Sequence, residues 1–325
     1  MLSELMKRYP PVDVSKMRTP TFLQSQDEIE RIKLKGIEAN SGWKPVSACP
    51  VCGSTQRRTE FSKHSVEIVC CLKCATRYSS QIAADLNDVY QNPAYVVYTR
   101  EDTDEHYNYR RERFGRERVG ILEKYCGDVS NKSILDVGCG NGYFLSVAME
   151  KCANCYGAEF SEKLRTFTQI KTGLTVFKEN LDELPKRDFD IITLFDIIEH
   201  IPDPVSFMKS VDGILNPGGF ILIFTPNFDS FSIKVMGSYS SIVDPTEHIV
   251  LFTLPSLRFL ANSLNYDVVY AETQGLDIQN ILAMQQYKGE EKSPFLLAWH
   301  NELQGMVNAA DCGDYGRIMF RKRDK

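Results

Sequence analysis

Four cysteines with metal-ligand spacing are the first residues of this sequence that could do chemistry. Cys49, Cys52, Cys71 and Cys74 form the pattern C-x2-C-x18-C-x2-C. Each C-x2-C pair can close a tight knuckle, and two knuckles bring four thiolates onto one tetrahedral ion, for which Zn2+ is the expected occupant. Four sulfurs leave no coordination position for water, so the ion is expected to support folding and not catalysis. The residues between the pairs can supply strands of a ribbon, since Ser65-Val66-Glu67-Ile68-Val69 alternates as a half-buried strand does. Cys70 is left over, and His64, which could replace a ligand, is expected to be a surface histidine.

A second cluster is Ile134-Leu135-Asp136-Val137-Gly138-Cys139-Gly140-Asn141-Gly142. A strand that ends in glycines before a helix lets backbone approach a ligand closely and aims the helix N-terminus at it. Glycines in that place could equally announce a dinucleotide site. The spacing here is G-x-G-x-G, and the acidic Asp136 precedes the first glycine. A carboxylate repels a pyrophosphate but suits a ligand that carries an ammonium group and a cationic sulfur.

With these residues in view, the chain resembles the class I S-adenosylmethionine-dependent methyltransferases over about residues 132–322. The resemblance implies that Asp136, Gly138, Cys139, Gly140, Asn141 and Gly142 form the first cofactor loop. It implies that Glu159, with Phe160 beside it in Tyr156-Gly157-Ala158-Glu159-Phe160-Ser161, closes the second strand and accepts the two ribose hydroxyls of S-adenosylmethionine. Asn180 and Leu181, in Glu179-Asn180-Leu181-Asp182, match the adenine-holding turn, with Asn180 where an aspartate is usual. Phe195 and Asp196 end the fourth strand and start the turn that floors the site, and Leu215-Asn216-Pro217-Gly218-Gly219 matches the turn before strand five.

Methyl transfer to a hydroxyl gains from a base, and histidine is the side chain poised near neutral pH. Of five histidines, His248, in Pro245-Thr246-Glu247-His248-Ile249, and His200, after the fourth strand, are the candidates, His248 ahead. A further C-x2-C, Cys152 to Cys155, leads into a strand and is expected to be buried packing, as are Cys126, Cys139 and Cys312.

These residues need a scaffold, and the apolar pattern supplies one. Strands are expected at 133–137, 155–159, 175–178, 191–195 and 219–225, with helices at 142–151, 161–172 and 203–215 between them. The alternation predicts an α/β fold: a Rossmann-like seven-stranded methyltransferase sheet with helices on both faces, preceded by a small zinc ribbon. A helix at 254–264, a strand at 267–272, a helical insertion at about 278–309 and a strand at 316–321 complete it. Ahead of the sheet the expected segments are an arm (1–47), the ribbon (48–82) and a Tyr/Arg-rich connector (83–131); the catalytic domain spans 132–325 with an insertion at 274–313. In the arm a helix over 26–38 turns Ile29, Ile32 and Ile37 to one side. In the connector, Tyr90, Tyr95, Tyr98, Tyr107 and Tyr109 read as a solvated linker or as a lid beside a cleft, running into a helix over 105–125.

Composition sets the partner classes. The chain has 325 residues, 43% of them hydrophobic and 25% charged, which is globular, and its net charge is −5. An acidic balance with no basic stripe argues against a nucleic-acid partner. No run suggests a membrane span and the N-terminus lacks a signal-peptide core, so a cytoplasmic protein is expected. A homo-oligomer is left open.

The expected activity is methyl transfer from S-adenosylmethionine to a hydroxyl of a saccharide or related small metabolite. A zinc ribbon ahead of such a domain also resembles sugar C-methyltransferases and an enzyme that methylates a ribosomal RNA guanine. C- or N-methylation is therefore the alternative, and a zinc-ribbon scaffold on a relic fold is the non-enzyme alternative.

Overall fold

A computed structural model describes residues 2–18, 21–90, 103–178, 180–185 and 187–323, without the side chains of residues 88 and 90. Among the described residues thirteen strands follow in chain order: β1 Trp43–Pro45, β2 Arg57–Lys63, β3 Val66–Cys71, β4 Arg77–Ser79, β5 Gln81–Ala83, β6 Ser133–Val137, β7 Asn154–Ala158, β8 Val176–Phe177, β9 Phe189–Phe195, β10 Leu215–Pro226, β11 Val250–Leu251, β12 Tyr266–Gln274 and β13 Tyr315–Lys322. The chain divides into two compact units that interleave along the sequence. The first takes in the described part of Met1–Asp102 with Pro226–Ser256 and Glu272–Gly316; the second is Thr103–Thr225, Leu257–Ala271 and Arg317–Lys325.

The second unit carries most of the seven-stranded sheet, ordered β12-β13-β10-β9-β6-β7-β8. From β10 to β8 each neighbouring pair is parallel. Helices Glu162–Thr172 and Pro204–Ile214 fill two of the crossovers, each opened by a side-chain cap: Ser161 accepts from Leu164 N, and Asp203 accepts from Ser206 N. The central strands are buried on both faces, and β6 is buried at every position. Phe144, Phe195 and Phe224 stack edge to face at 5.0 Å centroid spacings in the core of this unit.

Several expectations meet corrections here. The helix expected over 142–151 shortens to Leu145–Ala148. Gly142 takes φ +76°, outside the helical region, and Val147 N, Glu150 N and Lys151 N bond three residues back, as in tight turns. The helix over 105–125 is Asp104–Arg110 and Arg116–Cys126 joined by a π-helical turn at Arg111–Gly115. The ladder of β10 starts at Leu215 and shifts register before Phe220, so the Pro217-Gly218-Gly219 turn becomes a bulge within the strand. The insertion is two helices, Asp277–Tyr287 and Pro294–Ala309, the second kinked at Trp299.

The first unit holds a four-stranded sheet, β11-β4-β3-β2, and a two-stranded one, β1-β5. β2 and β3 form a hairpin whose two turn residues, His64 and Ser65, both have positive φ (51° and 64°). That is the handed twist a two-residue hairpin prefers, taken without the usual Asn-Gly. His64 is no mere surface residue: its Nε2 lies 2.9 Å from Glu30 Oε2.

The arm also departs from expectation. It opens with a helix, Leu2–Arg8, and its main helix runs Phe22–Ala39. Ile32 is 42% exposed, while Glu30 and Lys33 are buried with Leu23 and Ile37. Periodicity marked the apolar residues, but the inward face carries two charges because ionic partners meet them there. Asp277 and Asp314 knit the insertion: Asp277 accepts from Ser232 N at 2.8 Å and Asp314 N at 3.0 Å, and Asp314 accepts from Asn280 Nδ2 at 2.6 Å. Tyr95 and Tyr98 lie outside the described residues, as does the side chain of Tyr90. Among the described residues no helix is long and apolar enough to cross a membrane.

Candidate functional site

In the second unit the glycine loop follows β6 directly. Asp136 is 3% exposed, and its Oδ1 accepts from Thr193 Oγ1 at 2.5 Å. Burial pushes its carboxyl up to about 7, against the pull of the Thr193 hydroxyl and the Arg118 charge, with Glu159 adding to the rise. Gly138, at φ +69°, has no room for a Cβ, which would stand 2.0 Å from Ile197 Cδ1. Gly140, at φ +54°, is the opposite case: a Cβ there meets nothing within 4 Å, so the loop is open on that side. Cys139 is buried and its N–H donates to Ala158 O at 3.1 Å; Asn141 Oδ1 accepts from Tyr143 N at 3.3 Å.

Glu159 leaves β7 and turns back onto this loop. Its Oε2 accepts from Gly140 N at 2.9 Å and its Oε1 from Ser161 N at 2.8 Å. Burial raises its carboxyl, while the backbone N–H groups of Ser161 and Gly140 hold it down. Phe160 beside it is 50% exposed. Leu181 is buried, and Asn180 Oδ1 caps the short turn Leu181–Glu183 through Asp182 N at 3.3 Å. Glu179 lies outside the described residues.

Phe195 is buried at the end of β9, and Asp196 takes φ +58° while its N–H donates to Phe224 O at 3.0 Å. Over this floor sits a residue that motif reading missed. Arg118, 9% exposed, places its guanidinium 3.9 Å above the Phe195 ring and 5.2 Å from the Phe224 and Tyr143 rings, and donates to the Tyr143 hydroxyl. Its Nε is buried with no hydrogen-bond partner. Nothing local separates Arg118 from Arg110, Arg111, Arg113 and Arg116 in the sequence.

These residues suit S-adenosylmethionine on their own chemistry. A desolvated carboxyl held near neutrality gains from an incoming cation, and the open side of Gly140 admits a ligand next to backbone amides.

The two candidate bases fall in different units. In the second, His200 closes the turn Ile198–His200 with its N–H on Ile197 O at 3.0 Å, and its Nε2 stands 4.0 Å from Glu199 Oε1. Glu199 is buried and accepts from Thr225 Oγ1 at 2.8 Å. In the first, His248 donates its backbone N–H to Asp244 O at 2.8 Å, and its ring Nδ1 lies 2.8 Å from Ile242 O.

The cysteine quartet also lies in the first unit. Cys49 and Cys74 sulfurs are 3.5 Å apart, Cys52 and Cys71 sulfurs 3.4 Å, and all four lie within 4.8 Å of one another. Metal–sulfur bonds of about 2.3 Å in a tetrahedron put sulfurs about 3.8 Å apart, so the quartet fits a structural Zn2+. The two knuckles match: Gly53 N bonds Cys49 O at 2.9 Å and Ala75 N bonds Cys71 O at 3.0 Å, each from a residue of positive φ. Cys152 and Cys155 are buried, their thiols directed at the carbonyls of Lys132 (2.6 Å) and Cys152 (3.5 Å), in line with packing.

A family model described as a methyltransferase domain matches residues 107–271, just over half of the chain. Among curated proteins, a ubiquinone biosynthesis O-methyltransferase of Bordetella bronchiseptica is 29% identical over 154 residues, covering 40% of this chain and 64% of its own length. One from Idiomarina loihiensis is 30% identical over 119 residues, covering 34% of this chain and 49% of its own length. The chain thus spans less than two thirds of either relative. Among solved structures, the complex between the Haloferax volcanii Trm112 methyltransferase activator and a methyltransferase matches with a TM-score of 0.52 at 12% identity, covering 74% of this chain and 98% of that one. At that identity the likeness is one of fold alone.

Proposed function

We infer the reaction from one premise: this chain belongs to the methyltransferase-domain family. We propose that it transfers a methyl group from S-adenosylmethionine to a hydroxyl of a small molecule. The observation that carries this reading is Asp136, a buried carboxyl pushed to about 7 beside the open face of Gly140 and within the field of Glu159. A relic fold has no need to keep so costly a group.

S-adenosylmethionine would bring the activated methyl on its sulfonium; the chain binds, orients and handles the proton. Asp136 would meet the cationic amino-acid end, and Glu159 would exchange its bonds to Gly140 and Ser161 for the ribose hydroxyls. Gly138, Cys139, Gly140, Asn141 and Gly142 would line the cofactor, with Phe160, Asn180 and Leu181 toward the base and Phe195 and Asp196 beneath. Arg118, with a buried Nε lacking a partner, is suited to the cofactor's carboxylate. His248, ahead of His200, is proposed as the base that takes the hydroxyl proton. Cys49, Cys52, Cys71 and Cys74 are proposed to hold a structural Zn2+. The arm, ribbon, connector and catalytic segments remain our proposed units of construction.

Saccharide is our proposed acceptor class: the net charge of −5 favours a small molecule over a nucleic acid, and the tyrosine-rich sequence of the connector suits a sugar. The names of the relatives favour a second reading, a ring hydroxyl of a quinone precursor. Methyl-labelled S-adenosylmethionine with parallel panels of sugar nucleotides, free saccharides and catechols decides between them. Label in a saccharide product supports our choice; label only in catechols transfers it to the second. His248→Ala should cut turnover by roughly 10²–10⁴ with cofactor affinity kept, and an equal loss in His200→Ala alone reassigns the base. No thermal shift with S-adenosylmethionine would leave the scaffold reading.

A further inference from the structure

His248 sits in a turn that is held from two directions within the first unit. Lys33, from the arm helix Phe22–Ala39, is 2% exposed at its side chain and lies 3.1 Å from Asp244 Oδ2 and 2.9 Å from Glu247 Oε1. Burial works against this ammonium, but Asp244 and then Glu247 outweigh it, so Lys33 is held charged. Asp244 is kept below the ordinary carboxylate range: burial would raise it, but the Lys33 ammonium beside it and the Thr246 hydroxyl hold it down. Asp244 Oδ1 accepts from Thr246 N at 2.9 Å and from Thr246 Oγ1 at 2.5 Å, which curls the turn around the carboxylate. From the ribbon hairpin, Lys63 Nζ donates to Val243 O at 2.6 Å and pairs with Glu30 at 2.8 Å. The chain beyond His248 is fixed as well: Ser79 N donates to Ile249 O at 3.0 Å, and β11 pairs with β4 through Val250↔Tyr78 and Leu251↔Arg77.

These bonds fix the residues on either side of one contact. Ile242 O, adjacent in sequence to the carbonyl that Lys63 grips, lies 2.8 Å from His248 Nδ1. A carbonyl oxygen can only accept, so Nδ1 carries the proton and, in the neutral ring, Nε2 is the basic nitrogen. We propose that Lys33 and Lys63 are positioning residues that clamp the 242–248 turn, fix His248 as the Nδ1-protonated tautomer and thereby make Nε2 its proton acceptor. The proposal rests on the reading of His248 as base. It also gives the arm and the ribbon a catalytic purpose: one supplies Lys33, the other Lys63 and the strand that β11 joins.

The test uses the full chain labelled with 15N-histidine, in long-range 1H–15N correlation spectra near pH 8, where a solvent-like imidazole is neutral. His248→Gln assigns the His248 signals among those of the five histidines. The wild type should show protonated Nδ1. Lys33→Met should collapse it toward the tautomer mixture of a solvated imidazole, with S-adenosylmethionine affinity unchanged within about twofold, and Lys33→Arg should restore it. Should Lys33→Met not fold, Lys63→Met, nearer the surface with 12% of its side chain exposed, carries the same expectation. An unchanged tautomer in the folded variant overturns the clamp. A clamped tautomer together with full turnover in His248→Ala overturns the base reading instead, and the catalytic consequence falls with it.

Discussion

Asp136 shows how one residue type at one place fixes a site's behaviour. Buried and facing Thr193 and Arg118, it titrates near 7, well above its unfolded value. Its proton therefore favours folding, fully so below the unfolded pKa of about 3.9, and that contribution is lost as pH rises through about 7. A cationic ligand prefers the ionised form, so binding below pH 7 must expel a proton. The affinity for S-adenosylmethionine should rise about fivefold between pH 6 and 7 and about twofold more before it levels near pH 8. Calorimetric titration in two buffers of different ionisation enthalpy measures the released proton, and Asp136→Asn should abolish both the slope and the release. This residue was legible from sequence because its role follows from two neighbours in the chain, Gly138 and Gly140. Arg118 was not, because what distinguishes it from Arg113 or Arg116 is contact with Phe195 and Phe224, which are remote along the chain.

At the scale of elements, the strands of the seven-stranded sheet were readable because each is a short apolar run that needs no distant information. Helix ends were less so where the loop conformation overrode propensity, as at Gly142. The ribbon shows the same limit more sharply: its cysteine knuckles are local and were legible, but its fourth strand, β11, arrives from Val250–Leu251. Its proposed Zn2+ should therefore support that strand too. Removing the metal with a strong chelator should release about one Zn2+ per chain and strip hydrogen-exchange protection from β2, β3, β4 and β11 together, leaving β6 and β9 protected. Protection that survives at β11 while β2 and β3 open would show that the strand stands without the ribbon.

The whole molecule consists of two compact units that the chain enters more than once. Each has its own proposed ligand, so their stabilities should respond separately. Differential scanning calorimetry should show one transition raised by S-adenosylmethionine, by about 2.7 kcal/mol at a hundredfold excess over Kd, and another lowered by chelation. A single transition moved by both reagents would mean that the units unfold as one. The sequence by itself determined the parts that consecutive residues build: the cysteine knuckles, the glycine loop with Asp136, the acid at Glu159 and the order of strands. Turns and strands are made by neighbours, so their signals survive in one dimension. Only the tertiary structure decided that Arg118 covers the floor, that Glu30 and Lys33 face inward, and that the turn bearing His248 is held by lysines from the arm and the ribbon. Lys33 and Asp244 are 211 residues apart, and a buried charge is stable only where folding brings its partner.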